Sequence, residues 1–285
     1  MVKKKAPHII VLHILYAIIL LGIVMYTLFP IVWAIGNSFT KDDSEIFKYV
    51  YPLSLRTFFP KSPSLLNYRV LFTRYVFLRP ICNSFLVASI TVLIGFIVNG
   101  MAGFAFAKYH FKGDSLLFSL YLFSFMIPFE MIAVPLYSTV GKMGFLNTRL
   151  ALILPMVANG MIVFLYRQFF KDIPDSIIES ARLDGANTLR IFFQLITPLS
   201  KPVIISASLM MFIQQWDAFL WPLVAASTKE LKVMQVAIAE LNGEEKVMWG
   251  VILAGTSITI LIPTCILVPL QKYYIMGISS SGMKE

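Results

Sequence analysis

Two carboxylates, Glu130 and Asp217, interrupt runs of the sequence that are otherwise apolar. An ionised side chain costs about 2.5–3.5 kcal/mol at the centre of a bilayer, so such a residue normally faces a protein interior or a water-filled path. The two carboxylates could therefore line a polar path through a membrane or relay ions along it. Alternatively, each lies at the membrane surface and is solvated. The sequence leaves both interpretations open.

The residues around Asp217 form a second candidate site, which reads Gln214-Gln215-Trp216-Asp217 and continues to Trp221 and Pro222. Amides, a carboxylate and indoles can bind a sugar, because a sugar ring offers an apolar face and a rim of hydroxyl groups. Indoles also concentrate at lipid–water boundaries whatever a protein carries, and this alternative suits Trp221. The candidate residues of a solute path are Glu130, Gln214, Gln215, Trp216 and Asp217.

The sequence contains no motif for catalysis or metal binding. It lacks the Gly-x-x-x-x-Gly-Lys-Ser/Thr loop that binds nucleotide phosphates, and its three histidines are scattered. Cys82 and Cys265 lie in apolar runs without Cys-x-x-Cys spacing, which argues against a disulfide or a metal site. We therefore predict no catalytic residue, no metal site and no cofactor in this chain. Any ATP and Mg²⁺ used should be bound by a separate protein.

The composition is that of an integral membrane protein. Of 285 residues, 58% are hydrophobic and 14% are charged, and the mean hydropathy is +0.78. Soluble domains are about half apolar and a quarter charged. The net charge of +9 favours anionic lipid headgroups as the electrostatic partner, rather than nucleic acid.

Six apolar runs are each long enough to cross a bilayer as a helix, which takes about 20 residues. They cover residues 9–39, 81–107, 115–140, 147–170, 202–228 and 247–271. We expect one all-α membrane domain over residues 1–285, with Pro30 kinking the first run and Pro263 and Pro269 breaking the last. The first run is too long for a signal-peptide core and has no cleavage site after it, so we expect it to be retained.

The orientation of the chain follows from its loop charges. Six crossings place both termini on the same side, and Lys3, Lys4 and Lys5 place that side in the cytoplasm. Lys and Arg are equally numerous on the two sides when all loops are counted. The orientation therefore depends on the three N-terminal lysines.

A polar segment, residues 174–198, separates the fourth and fifth apolar runs and is called the coupling segment below. Ser176 and Glu179 have the spacing of a capping box, which predicts a helix that starts at Asp175 or Ser176. Gly185 is placed to end this helix in a left-handed turn, and Asn187 can cap a second helix, with Pro198 beyond it. Spacing alone equally fits an amphipathic helix that lies on lipid headgroups.

The coupling segment resembles the EAA signature of ABC-importer permeases. The resemblance rests on Glu179-Ser180-Ala181, Asp184-Gly185-Ala186 and the downstream Pro198, with Ser180 where the family usually has alanine. In that family this helix docks in a cleft of the ATPase subunit and receives its motion. The ATPase-coupling residues that the resemblance implies are Glu179, Ser180, Ala181, Asp184, Gly185 and Ala186.

The resemblance continues along the chain from about residue 81. Residues 127–137, 144–148 and 271–278 are similar to the corresponding segments of carbohydrate-type permeases. The segment around Trp216 resembles their Trp-Asn-x-Phe-x-x-Pro motif, with Asp217 in place of asparagine. The resemblance implies a type I ABC importer permease fold with six transmembrane helices and a cytoplasmic coupling helix, as in the maltose permease-like, binding-protein-dependent family.

The resemblance also implies partners and a location. The partners would be a second permease subunit, two cytoplasmic ATPase subunits, an extracellular solute-binding protein and the lipid bilayer, without nucleic acid. The chain would lie in a bacterial cell membrane with both termini in the cytoplasm, and would carry a sugar or a sugar-like solute without being an enzyme. The alternatives are a polyol-phosphate importer of the same family, or an ion-coupled secondary transporter that uses Glu130 and Asp217. A channel or scaffold subunit is a third possibility.

Overall fold

The computed structural model of the chain describes residues 7–243 and 247–282. Regular structure in these residues is helical, with one isolated β-bridge between Thr40 and Pro63. Lys3, Lys4 and Lys5, on which the predicted orientation depends, lie outside the described residues. The α-helices are α1 Pro7–Asn37, α2 Asp43–Lys48, α3 Leu66–Thr73, α4 Leu78–Lys108, α5 Asp114–Phe125, α6 Phe129–Lys142, α7 Arg149–Val157, α8 Gly160–Lys171, α9 Asp175–Leu183, α10 Thr188–Ile191, α11 Thr197–Leu199, α12 Lys201–Trp216, α13 Leu220–Ala225, α14 Met234–Leu241 and α15 Trp249–Gly282.

Three of these helices are individually long and apolar enough to cross a membrane. They are the Leu12–Asn37 part of α1, α4, and the Trp249–Tyr273 part of α15. Three more candidate spans arise only if two bent helices count as one. These pairs are α5 with α6, which meet at 97°, α7 with α8 at 43°, and Thr188–Leu199 with α12 at 90°. The described residues therefore allow three to six crossings. The six crossings predicted from the sequence are the upper limit.

Several predicted runs differ from the helices observed. The run 115–140 is not one helix, because residues 126–128 separate α5 from α6 and Pro128 immediately precedes α6. The run 202–228 ends as a helix at Trp216, and α13 is a separate short helix. Pro263 and Pro269, predicted to break the last run, lie inside the continuous helix α15.

The described residues group into two compact units. The first contains the described residues up to Val76 together with Ile238–Leu261, and the second contains Phe77–Ala237 and the described residues from Ile262 onward. In the first unit Ala34, Ile46 and Leu253 pack together. Its buried Asn67 donates hydrogen bonds to the carbonyls of Ser38 (2.9 Å) and Thr40 (2.8 Å), which fixes the backbone that follows α1.

The second unit has two apolar clusters, one of which joins the coupling segment to the membrane helices. This first cluster brings together α4, α8, α9, α10 and α12, and its buried members include Phe104, Tyr166, Phe170, Ile178 and Phe192. α9 and α10 therefore pack on the same buried residues as the long helices. A displacement of the coupling segment must move those helices or break this packing.

The second cluster contains Trp221, which the sequence interpretation placed at the lipid–water boundary. That interpretation is wrong, because Trp221 is buried and its indole Nε1–H donates to the carbonyl of Ala151 at 2.8 Å. A buried indole needs a partner for its N–H, and the carbonyl of Ala151 in the first turn of α7 supplies it. Trp221 thereby joins α13 to α7.

Candidate solute cavity and coupling segment

Helix α9 begins at Asp175, as the sequence predicts, but without the predicted capping box. Its N-cap residue is Pro174, whose side chain makes no capping hydrogen bond. Ser176 lies inside the first turn, where its carbonyl accepts a hydrogen bond from the Ser180 hydroxyl (2.8 Å). Ser176 therefore lies two residues beyond the N-cap position that a capping box requires.

Lys108, the last residue of α4, holds the start of α9. Its ammonium donates to the carbonyl of Ile173 and to the carboxylate of Asp175, 2.7 Å from Oδ1. The lysine side chain is only 4% exposed, whereas that of Asp175 is 74% exposed. The hydrogen bond from Lys108 lowers the pKa of Asp175. Lys108 thus ties the start of α9 to α4, although as a donor it does not cap the N–H groups of the first turn.

The turn after α9 has the predicted geometry. Gly185 adopts φ +80°, the left-handed conformation that glycine takes without steric cost. Asn187 caps α10 by accepting a hydrogen bond from the backbone N–H of Arg190 at 2.8 Å. Tyr109, next to Lys108, contacts both sides of the turn: its ring lies 5.3 Å from the Arg182 guanidinium and its hydroxyl 3.0 Å from that of Thr188.

The remaining predicted coupling residues divide between two faces. Glu179, Ser180 and Asp184 are exposed. Ala181 and Ala186 are half-buried and pack against the first apolar cluster. The exposed face also carries an apolar side chain, Leu183, which is 90% exposed. The coupling segment therefore combines a face fixed to the membrane helices with a mixed polar and apolar face that is open in this chain.

A cavity of about 570 Å³ lies in the second unit, where the bent pairs α5–α6 and α7–α8 meet α4 and α12. Its wall is largely apolar, and its polar side chains come from four helices or helix ends. They are Thr91, Tyr121, Ser124, Asn159, Gln214 and Gln215. Among the residues that the structure describes, none that lines the cavity is charged.

The cavity contains two of the five residues predicted for the solute path, Gln214 and Gln215. Trp216 is buried and stacks on Phe212, with ring centroids 5.7 Å apart, instead of lining the cavity. Asp217 is exposed at the end of α12, where Gln235 donates to it at 3.4 Å. Glu130 is exposed in the first turn of α6. Neither carboxylate lines the cavity.

Several polar residues of this region were not identified from the sequence, among them Thr91, Asn159 and Asn99. Thr91 is 1% exposed, and its hydroxyl has no hydrogen-bond partner among the described residues. Asn159 donates to Oε1 of Gln214 at 2.8 Å, and Asn99 is fully buried behind it. Polar side chains within apolar runs were the available signal, because polar groups at membrane depth normally serve packing partners or a path.

A comparison with protein families decides the class of this chain. A family described as the inner membrane component of binding-protein-dependent transport systems matches residues 92–271. The match begins within α4, ends within α15, and includes the coupling segment and most of the cavity wall. The chain belongs to this family. It is a membrane-embedded subunit of an ABC importer, as the resemblance implied.

Individual relatives of this permease are similar over most or all of its length. The arabinooligosaccharides permease AraQ of Halalkalibacterium halodurans is 31% identical over 202 residues, 71% of this chain and 72% of the relative. AraQ of Bacillus subtilis is 27% identical over 282 residues, 99% of each chain. The sn-glycerol-3-phosphate permease UgpE of Pectobacterium atrosepticum is 29% identical over 202 residues, 70% of this chain and 72% of the relative.

The fold of the permease also matches a solved structure. It superimposes on a chain of a bacterial ABC transporter involved in the import of the acidic polysaccharide alginate, with a TM-score of 0.80 and 22% sequence identity. The match covers 95% of this chain and 99% of the other. It establishes the type I ABC importer permease fold that the sequence predicted.

Proposed function

We propose that this permease imports an uncharged sugar or oligosaccharide through a path that includes the cavity between α4, α7–α8 and α12. The observation that carries the proposal is the chemistry of the cavity wall. It combines apolar surface with three carboxamides and three hydroxyls, of which that of Thr91 is buried, and its described residues offer no charge. Neutral donors and acceptors on an apolar wall suit a ring with hydroxyl groups on its rim.

A phosphorylated polyol fits this wall less well. The relative UgpE is named as an sn-glycerol-3-phosphate permease. A phosphate needs cationic or multiple N–H donors, and no arginine or lysine is among the described residues that line the cavity. The exposed positions of Glu130 and Asp217, outside the cavity, also give no support to an ion relay through it.

We propose that the coupling segment docks on a cytoplasmic ATPase subunit, which binds ATP and Mg²⁺. Glu179 and Asp184 offer acceptors to basic residues of a partner, and Leu183 offers an apolar contact. Ala181 and Ala186 instead transmit the motion, since they pack on the core of the membrane helices. A second permease subunit and an extracellular binding protein complete the importer, and both termini lie in the cytoplasm.

The proposed docking can be tested by extraction of the importer from the membrane in mild detergent. The ATPase subunit should then remain bound to this chain.

Replacing Thr91 by valine tests the proposed path. The exchange keeps the shape and removes a buried hydroxyl that has no partner in the described chain, so it should not lower stability. If the hydroxyl instead serves the solute, the maximal uptake rate should fall about two- to tenfold, the equivalent of one neutral hydrogen bond. The measurement is uptake of a labelled arabino-oligosaccharide into proteoliposomes that contain the whole importer and a saturating amount of binding protein.

Thr139 provides the matched control. It is exposed on α6, outside the cavity, and its hydroxyl donates to the carbonyl of Pro135 at 2.9 Å. Thr139→Val should transport at the parental rate. Parental uptake by Thr91→Val would contradict a solute path through this cavity.

A further inference from the structure

The wall of the cavity depends on a break between α7 and α8. α7 ends at Val157, α8 begins at Gly160, and the two axes differ by 43°. Irregular backbone at membrane depth needs protein partners for its polar groups, because lipid offers none. The Val157 carbonyl and the Asn159 N–H lie at this break and require such partners.

One side chain, that of Asn99 on α4, binds both groups. Its Nδ2 donates to the Val157 carbonyl at 2.8 Å, and its Oδ1 accepts from the Asn159 N–H at 2.8 Å. The second Nδ2 hydrogen goes to the carbonyl of Gly95, 2.7 Å away on the same helix. Asn99 is 0% exposed. An amide can do this because it presents two donors and an acceptor in one plane.

The break in turn sets the direction of Asn159. Its Oδ1 accepts from the N–H groups of Met161 (3.1 Å) and Ile162 (3.3 Å), so the side chain caps α8. Its Nδ2 is then directed at Oε1 of Gln214, and both side chains line the cavity. The backbone of Asn159 is held by Asn99 and its side chain by the helix cap.

α4 and α12 approach closely at the same level. A Cβ added to Gly95 would lie 2.2 Å from the Cε of Met211, so only glycine fits at this position with Met211 where it is. The sulfur of Met211 lies 3.9 Å from Nδ2 of Asn99. Asn99 therefore contacts both α12, which carries Gln214, and the break, which carries Asn159.

We propose that Asn99 is a positioning residue for transport: it holds the break between α7 and α8 so that Asn159 and Gln214 together face the solute. This inference rests on the proposed function of the cavity. Asn99 does not itself line the cavity. Its role is to bind the two backbone groups at the break that lack a helical partner, the Val157 carbonyl and the Asn159 N–H. Asn99 and Val157 are 58 residues apart in the sequence.

The test uses Asn99→Leu and Asn99→Asp in the whole importer. Leucine has a similar branched shape, though a larger volume, and no hydrogen-bonding group, whereas a protonated aspartic acid keeps an acceptor for the Asn159 N–H and one donor. Hydrogen–deuterium exchange at the amide of residue 159 should become at least about tenfold faster in Asn99→Leu and stay near parental in Asn99→Asp. Oligosaccharide uptake should fall about tenfold or more in Asn99→Leu, with most of it retained in Asn99→Asp.

Asn83 is the matched control, because it is a buried asparagine of the same helix. It donates to the carbonyls of Glu230 (2.7 Å) and Lys232 (3.0 Å) and does not line the cavity. Asn83→Leu should leave exchange at residue 159 and uptake unchanged. Equal loss of uptake in Asn83→Leu, unaltered exchange in Asn99→Leu, or an Asn99→Asp variant as defective as Asn99→Leu would each overturn the proposal.

A variant at Gln214 separates positioning from general damage. If Asn99 acts through Asn159 and Gln214, then Gln214→Leu should add little to the loss of uptake in Asn99→Leu, and independent losses that multiply would overturn the proposal. Should Asn99→Leu not assemble, Asn99→Ala takes its place. Reduced uptake by Thr91→Val together with parental uptake by Asn99→Leu contradicts only the role of Asn99. Parental uptake by both variants contradicts the proposed function itself.

Discussion

Replacing Gly185 by valine should reduce uptake to less than about one tenth of the parental rate, while the chain still inserts and assembles. Gly185 adopts φ +80°, and a β-branched residue held there stores about 1–3 kcal/mol of strain. A Cβ at this position would meet nothing within 4 Å, so the backbone alone is responsible. The strain is relieved only if the turn between α9 and α10 changes its angle, which redirects Glu179 and Asp184 away from a docked partner.

Two substitutions serve as controls for this expectation. Gly144 has nearly the same conformation, φ +73°, and the same free space, but it lies between α6 and α7. Gly144→Val should therefore transport far better than Gly185→Val, although both store similar strain. Gly185→Asn should retain much of the activity, because asparagine tolerates the left-handed region. Normal uptake by Gly185→Val, with membrane insertion verified by surface labelling, would contradict the proposed docking.

The sequence predicted the turn at Gly185 because local chemistry determines it. A glycine after a short helix, followed by an asparagine, has few other conformations that satisfy the helix ends, and both residues do what was expected. The capping box at Ser176 was also a local argument, yet it was wrong. The start of α9 is instead anchored by Lys108, which comes from α4, is 67 residues from Asp175 and donates to its carboxylate. A pattern within one segment cannot reveal a partner that distant.

The apolar runs were predictable in approximate position, but the breaks within them were not. Hydropathy over residues 115–140 is continuous, while Pro128 lies where α5 and α6 meet at 97°. Glu130 consequently lies in an exposed first turn instead of halfway along a helix. The count of residues along a run gives membrane depth only if the run is straight, and this one is not.

For the cavity too, some residues could be identified from their own stretch of sequence, whereas others depend on contacts with distant parts of the chain. Gln214 and Gln215 were identified because amides are unexpected in an apolar run, and both line the cavity. Asn99 is equally unexpected, but its role depends on Val157 and Asn159, which lie in a different helix pair. Trp216 was selected for its aromatic ring, and its burial against Phe212 makes it a packing residue in this chain.

Lys108→Met should produce the second large effect, a loss of coupling between ATP hydrolysis and uptake. Methionine keeps the buried stem of the side chain but removes every donor, so the carbonyl of Ile173 loses its partner. Hydrogen bonds to charged groups contribute about 1.5–3 kcal/mol, and we expect this bond to dominate. The contribution of Asp175 should be smaller, because its carboxylate is largely exposed and solvent screens the pair.

The readout is the ratio of solute imported to ATP hydrolysed by the reconstituted importer. We expect this ratio to fall at least about fivefold in Lys108→Met, with hydrolysis still present, and Lys108→Arg to restore part of it because arginine keeps a charged donor. Asp175→Asn removes only the screened charge and should have a mild effect. A Lys108→Met importer with a parental ratio would contradict this role of Lys108.

The expected pH dependence of the coupling ratio follows from the direction in which the pKa of Asp175 is shifted. Lys108 lowers the pKa of this carboxyl, so the ion pair is complete above the ordinary range for aspartate and is lost only when the pH falls through the lowered value. Between about pH 6 and pH 8 the pair should therefore make no contribution to any change in the coupling ratio.

Helix α4 contacts the coupling segment as well as the cavity, because it carries Lys108 at its end and both Thr91 and Asn99 along its length. Removing the hydrogen bonds of Lys108 should uncouple the coupling segment from the cavity while the cavity itself stays intact. Lys108→Met should therefore not alter hydrogen exchange at the amide of Asn159.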